Sequence, residues 1–226
     1  MNSEIMQAIM ENLMLTIQGS IYAVFMHNLL FGGLGTSEMF RAAQRNSEIV
    51  LTSALISVFS AVSALLNFGV TTFINNLRDR IEWLSWRYAI FSTQPGLQYV
   101  WYALIFAVVL LLLYLLVNLV ARFLPASKQK LLLHKRVGAA ALNTLVISIP
   151  LLLFRQANMS PWTALGWGLG AGIAFYVVTM LVNSGMHGLR QNKAVPSQFS
   201  GVPATLIYTG LLALAFTGFA GGLSLF

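Results

Sequence analysis

The apolar run LIFAVVLLLLYLLVNLV, residues 104–120, is the strongest constraint on the fold of this chain. It lies inside a longer apolar segment, Tyr99 to Leu124, that carries a single charged residue, Arg122. About 20 apolar residues in a helix are enough to cross the hydrocarbon core of a bilayer. Backbone groups in lipid must be satisfied within the segment itself, so the run predicts a transmembrane helix.

Five other segments have the same apolar character. They are Leu13–Gly33, Ile49–Ile74, Val137–Phe154, Trp162–Met186 and Pro203–Phe226. Only 8% of the residues are Asp, Glu, Lys or Arg, whereas a soluble domain carries about 25%. We therefore predict an all-α integral membrane protein of about six transmembrane helices, with residues 1–226 as a single polytopic domain.

The basic residues indicate topology. The net charge of +7 could suggest nucleic acid, but the basic residues lie between apolar runs and form no long stripe. The loops after spans one, three and five carry nine Lys and Arg residues, and the loops after spans two and four carry four. The positive-inside rule then places both termini outside the cytoplasm, in a multi-pass protein of the cell inner membrane.

Two segments beside the spans need separate interpretations. The N-terminal segment has Glu4 and Glu11 but no basic residue, so it is expected to begin the first span and not to be a secretory signal. Between spans two and three, residues 77–92 predict an amphipathic helix with apolar residues at alternating steps of four and three. With Trp83 and Trp86, this helix either lies flat in the outer interface or caps the bundle.

Polar residues interrupt two spans. His27 and Asn28 fall late in span one, and Asn143 and Thr144 fall early in span four. Polar side chains at membrane depth either form interhelical hydrogen bonds or line a pathway. Spans one and four are the first helices of two three-helix halves, and an odd number of spans reverses the orientation of the second half. The positions therefore predict two inverted repeats with broken first and fourth helices.

Glycine and proline refine this prediction. Gly166, Gly168, Gly170 and Gly172 in span five are interpreted as packing residues, since small residues let helix backbones approach closely. Gly32, Gly33 and Gly35 beside the polar pair of span one favour a broken helix there. Pro150 is expected to kink or break span four, because it removes a backbone donor.

The chain carries no recognisable catalytic motif. There is no Walker loop, no His-Glu-x-x-His and no Gly-x-Ser-x-Gly in the sequence, and none of its six acidic residues lies at the centre of a span. The absence of cysteine excludes thiolate metal sites within the chain. We expect no catalytic residue and no metal ligand, and leave open whether the chain is a non-catalytic subunit of a membrane oxidoreductase.

Three stretches near the C-terminus carry a resemblance to a known family. They are GLGAGIAF at 168–175, VPSQFSG at 195–201 and LIYTGLLALAFTGF at 206–219. Together they resemble the C-terminal half of the Rnf/Nqr membrane subunits of the RnfA/NqrE type. Asn28 and the pair Leu34-Gly35 resemble the family's first helix more weakly. Spans two and three are matched in hydropathy alone.

The resemblance implies six helices in an inverted repeat, with the termini outside. It also implies a hetero-oligomer with a homologous subunit of opposite topology and with redox subunits, in an ion-translocating NADH oxidoreductase. Family members share a two-iron two-sulfur cluster held by cysteines of the broken helices. Those positions correspond here to Ser37 and Thr144, so we expect no cluster in this chain and assign iron–sulfur or flavin cofactors to partner subunits.

These patterns support three functional hypotheses. The first is a scaffold or pathway-lining subunit of an Rnf/Nqr-like electron transport complex, without its own cluster. The second is a transporter for a small solute or ion that reuses the inverted repeat, with His27, Asn28, Asn143 and Thr144 lining its site. The third is a structural assembly subunit that docks through the segment 77–92.

Overall fold

The structure, a computed structural model, describes residues 3–26, 39–40, 46–80, 95–123, 136–154, 160–191, 196 and 201–223. All the regular elements within these ranges are helical, which confirms the predicted all-α fold. The helices are α1 (Ser3–Ile21), α2 (Asn46–Arg80), α3 (Pro95–Phe123), α4 (Thr144–Phe154), α5 (Pro161–Gln191) and α6 (Val202–Leu223). A π-helical segment, Tyr22–Met26, continues α1, and residues 136–141 form a short helical segment before α4.

Each helix overlaps one predicted span, and the largest extensions beyond the predicted bounds are in α1 and α2. α1 begins at Ser3, ten residues before the predicted start at Leu13. α2 continues to Arg80 and so includes residues 77–80 of the predicted amphipathic helix. The remainder of that helix lies outside the described residues and stays a prediction.

Length and hydropathy support membrane crossing. In the part of the chain that the structure describes, three helical stretches are long and apolar enough to cross a bilayer: Ile49–Phe73, Arg136–Leu153 and Pro161–Leu189. Ala103–Leu119 and Pro203–Gly218 are shorter apolar helices. The chain is therefore a multi-pass membrane protein.

The helix contacts of the two three-helix halves largely correspond to one another. α2 and α5 contact each other along the centre of the bundle, α1 packs on α5, and α4 packs on α2. In the same way α3 packs on α2 and on α4, while α6 packs on α5 and on the π segment. Exchanging the two three-helix halves maps the contact between α2 and α5 onto itself and these other contacts onto one another. Among the described residues, the smaller contact between α4 and α5 has no comparable counterpart between α1 and α2. The inversion of the two halves stays a prediction.

The contact between α2 and α5 is made by small residues. A Cβ atom added to Gly168 would collide with the backbone of Ser60 and Ala61, and one added to Gly172 would collide with Ser53 and Ser57. The two backbones therefore approach as closely as glycine allows, which confirms the packing interpretation of the span-five glycines. The largest buried side chains beside this contact are Ile56, Phe59, Phe175 and Val178.

The outward faces of the helices remain apolar. Leu112 and Leu116 on α3 are 60% and 56% exposed, and Leu211 and Leu214 on α6 are 60% and 70% exposed. An exposed face of this composition is stable against lipid chains or against another apolar protein surface.

Candidate functional site

The fourth span is interrupted at Leu142 and Asn143. The amide of Leu142 donates to the carbonyl of Gly138 at 3.0 Å, and the amide of Asn143 donates to Ala140 at 3.3 Å, which closes the short segment 136–141. α4 then begins at Thr144. The prediction of a broken fourth helix is therefore confirmed.

Asn143 serves as the N-cap of α4. Its Oδ1 accepts a hydrogen bond from the amide of Leu145 at 3.0 Å, and its carbonyl accepts bonds from Val146 and Ile147 at 3.0 and 3.3 Å. An asparagine at this position satisfies backbone donors that a helix start leaves without partners. In a membrane this matters more, because no water reaches those donors.

Of the two effects expected of Pro150, a break at its own position does not occur, and a kink stays a prediction. Pro150 is buried inside α4, which is continuous from Thr144 to Phe154. A proline within the helix removes one amide donor, so one carbonyl loses its helical hydrogen bond. At the helix start the side chain of Asn143 instead accepts a hydrogen bond from an amide that has no carbonyl partner within the helix. The chain therefore breaks where a cap is present and not where the proline lies.

The two described candidate residues differ in their surroundings. Asn143 is 5% exposed, and its Nδ2 has no hydrogen-bond partner. The next residue, Thr144, is exposed at the start of α4. His27, Asn28 and Ser37 lie outside the described residues, so the meeting of the two polar pairs stays a prediction.

The first span changes from α-helical to π-helical geometry directly before the polar pair His27 and Asn28. α-Helical hydrogen bonding ends at Ile21 and the chain continues as a π-helix over Tyr22–Met26, directly before His27. Short π segments often occur at functional sites, because they relocate side chains relative to an α-helix. Tyr22 packs on Trp167 of α5, with ring centroids 5.1 Å apart and a tilt of 49°.

An open groove of about 330 Å³ lies beside this aromatic pair, between α1 and α5. Its lining consists of Leu15, Gln18, Gly19, Tyr22, Thr163 and Trp167. Sequence analysis missed this groove, because it depends on the contact between two helices almost 150 residues apart. The small residue Gly19 was the available signal.

A second feature missed from sequence is a set of buried polar groups between the helices. Most Ser and Thr hydroxyls that form hydrogen bonds in the described helices donate to the backbone carbonyl four residues earlier. Ser53, for example, donates to Ile49 at 2.6 Å. The hydroxyls of Thr52, Ser60 and Thr179 are fully buried and have no partner in the part of the chain that the structure describes, and neither has Oδ1 of Asn67. These residues mark a polar stripe on the inner faces of α2 and α5.

The described residues offer little to a metal ion. No group of three or more His, Asp or Glu side chains comes together among them. The chemistry available at the break is amide and hydroxyl hydrogen bonding, from Asn143 and Thr144.

The apolar helices and their packing define an all-α, multi-pass integral membrane protein. No family model matches the chain. The A subunit of the ion-translocating oxidoreductase complex of Alcanivorax borkumensis is 30% identical over 159 residues, which cover 67% of this chain and 75% of that protein. The corresponding protein of Rhodobacter capsulatus is 31% identical over 113 residues, 47% of this chain and 58% of the relative.

This chain belongs to the family of A subunits of ion-translocating oxidoreductase complexes. A shorter match, to the family member of an Azoarcus species, reaches 45% identity over 58 residues, 24% of this chain. The chain spans a little over half the length, 58%, of the Rhodobacter relative that it matches. The resemblance inferred from the C-terminal sequence is thereby confirmed.

The residues at the break do not fit the iron–sulfur cluster that the resemblance implies. Thiolates hold such clusters, and the chain contains no cysteine. The position that the resemblance assigns to one family cysteine is Thr144, whose hydroxyl is a poor ligand for iron in place of a thiolate.

Proposed function

We propose that this chain is a membrane subunit of an Rnf/Nqr-like ion-translocating electron transport complex, and that it scaffolds or lines the pathway without its own iron–sulfur cluster. One observation about this chain carries the proposal. It is a family member with an interrupted fourth span, but it has Thr144 where the resemblance places a cysteine thiolate. Electrons would then travel through cofactors of partner subunits.

The capping of the break supports this proposal. Asn143 satisfies the amide of Leu145 with its own side chain, so the interruption needs no metal to hold it. An interrupted fourth span without an iron–sulfur cluster would still give the subunit the shape on which its partners pack. Shape, and not redox chemistry, is the contribution of this chain.

The partners follow from the family. Relatives are named as subunits of an ion-translocating oxidoreductase complex, so a hetero-oligomeric assembly is supported. Within this assembly we propose two kinds of partner for this chain. One is a homologous membrane subunit of opposite topology, and the other is a set of redox subunits that carry flavin or iron–sulfur groups. The location that fits is the cell inner membrane, with both termini outside the cytoplasm.

Affinity purification from native membranes in a mild detergent tests the proposal. Mass spectrometry should find a homologous membrane subunit together with flavin- or iron-bearing chains. The separated chain should contain no stoichiometric iron or acid-labile sulfide. Purification of the chain alone would contradict the complex, whereas stoichiometric iron on the separated chain would contradict only the cluster-less role.

A second candidate function, transport of a small solute or ion, is favoured by one observation. The buried Nδ2 of Asn143 has no partner among the described residues, at an interruption of the kind that transporters use to build central sites. Reconstitution in vesicles with Asn143→Leu and Thr144→Val variants tests this function. Unchanged transport in both variants, or no transport by the unaltered protein, would count against it.

A further inference from the structure

The groove between α1 and α5 presents a polar side chain to the surroundings of the bundle. Gln18 of α1 lines the groove and is exposed, and half-buried Thr163 of α5 belongs to the same lining. The Thr163 hydroxyl lies 3.1 Å from that of Ser160 and so has a hydrogen-bond partner. The carboxamide of Gln18 has no such partner in the part of the chain that the structure describes.

The packing of α1 on α5 fixes the level of this carboxamide in the bundle. Thr16 of α1 lies against Gly166 of α5. One turn further along, Ser20 lies against Gly170, so the two helices run in parallel. Gln18, midway between the two α1 residues, is therefore level with the residue midway between the two glycines of α5.

The level of Gln18 lies deep in the membrane. Gly168, the α5 residue at this level, lies against Ala61 of α2, which is midway along the apolar stretch Ile49–Phe73. Gly168 is also about 10 Å from the start of the apolar stretch Pro161–Leu189, at about 1.5 Å per residue. The hydrocarbon that surrounds the bundle at this depth contains no water and no hydrogen-bonding group.

An exposed carboxamide at this depth distinguishes the groove from an ordinary lipid-facing surface. Exposed apolar neighbours such as Met14 and Ile21 are stable against lipid chains. The carboxamide of Gln18 has two amide hydrogens and a carbonyl oxygen, and leaving these groups unpaired in hydrocarbon is unfavourable. Polar side chains at membrane depth therefore face protein or water, whereas Gln18 faces outward from this chain.

We propose that the groove docks a membrane-spanning helix of another subunit, which places a Ser, Thr, Asn or Gln side chain against Gln18. Such a side chain complements the partial charges of the carboxamide, and hydrogen bonds of this kind join helices within membranes. The groove is open and holds about 330 Å³, so side chains of a helix that lies along α1 and α5 can enter it. The inference rests on the proposed function, since it takes the partner from the same complex.

Gln18→Leu tests the hydrogen bond, because it replaces the carboxamide with an apolar group. In the purified complex this variant should reduce the recovery of a co-purifying membrane subunit several-fold. The separated variant chain should be at least as stable to heat as the unaltered chain, since the carboxamide has no partner there. Ile17→Leu, an apolar exchange at the neighbouring exposed position, is the control and should change neither measurement.

Two outcomes of this comparison would overturn the proposal. Unchanged recovery of the other subunits with Gln18→Leu would show that lipid covers the carboxamide as well as protein does. A less stable separated chain would show that the carboxamide bonds within its own protein. Failure of any subunit to co-purify with the unaltered chain would instead contradict the proposed function itself.

Photocrosslinking from the groove identifies the partner. Tyr22 lines the groove and is 37% exposed, so p-benzoylphenylalanine in place of Tyr22 puts a photoreactive ring there while Gln18 is kept. After irradiation of native membranes, the expected adduct lies on a membrane-spanning segment of a co-purifying subunit, within a few residues of a Ser, Thr, Asn or Gln. Adducts with lipid alone, or with a second copy of this chain, would overturn the proposal.

Discussion

Asn143 combines two roles that can be separated by substitution. Its Oδ1 caps α4, while its Nδ2 is buried without a partner. Loss of an N-cap costs about 1 kcal/mol, and a buried donor without a partner is itself unfavourable. The capping oxygen should therefore account for the stabilising effect of this side chain.

We expect Asn143→Ala to lower the free energy of unfolding by about 1 kcal/mol. Asn143→Ser, which keeps a capping oxygen and removes the unpaired amide, should stay close to the unaltered protein. Denaturation in mixed SDS micelles measures both variants. Equal stability of all three proteins would contradict the assigned cap.

Two serines on α2 offer a matched comparison of hydrogen bonding. Oγ of Ser57 donates to the carbonyl of Leu169 on α5 at 3.1 Å, whereas Oγ of Ser60, less than one turn away, is buried without a partner. A typical hydrogen bond contributes about 0.5–1.5 kcal/mol, while an unpaired buried hydroxyl contributes nothing favourable.

Ser57→Ala should therefore lower the free energy of unfolding by about 1 kcal/mol. Ser60→Ala, the same chemical change on the same helix, should leave it unchanged or raise it. Thermal denaturation in detergent compares the two variants. A larger loss for Ser60→Ala would show that its hydroxyl has a partner.

At the scale of the elements, the contact between α2 and α5 sets the centre of the bundle. Its backbones meet where Gly168 faces Ser60 and Ala61, and no side chain fits between them. Packed interiors tolerate additional atoms poorly, because neighbouring groups have to move. The contact between α2 and α5 therefore requires that residue 168 carry no Cβ atom.

We expect Gly168→Ala to cost about 1–3 kcal/mol, the usual range for overpacking. Gly69→Ala is the control, since a Cβ at exposed Gly69 on α2 would meet nothing within 4 Å. That variant should be neutral or gain up to about 1 kcal/mol of helix stability. Similar losses at both positions would contradict the close α2–α5 contact.

At the scale of the whole molecule, the parallel direction of α1 and α5 bears on topology. The N-terminal end of α1 and the C-terminal end of α5 lie on opposite faces of the bundle, because the two helices run the same way. The positive-inside rule assigns the end of α1 to the outside and the end of α5 to the cytoplasm. The structure fixes the relative placement, and the charge distribution chooses between the two orientations.

In intact spheroplasts, we expect an impermeant maleimide to label Glu11→Cys and to leave Gln191→Cys unlabelled. Both positions are exposed in the chain, so permeabilisation should make both react. The reverse pattern would invert the proposed topology.

Much of the architecture could be predicted from the sequence. Hydropathy is a local property, so apolar runs locate helices such as α3 and α5 without knowledge of their neighbours. Asn143 could be singled out because a polar residue at membrane depth is costly. The family of the chain could also be predicted from short local stretches, such as residues 195–201.

Other features were decided by the tertiary structure. The helix is interrupted at Asn143 and continues through Pro150, because an interruption depends on which end groups find partners and not only on the residue that lacks a donor. The groove beside Tyr22 and Trp167 forms only where α1 meets α5. The unpaired hydroxyl of Ser60 likewise could not be seen in the sequence, since hydrogen bonds between helices join residues more than a hundred positions apart.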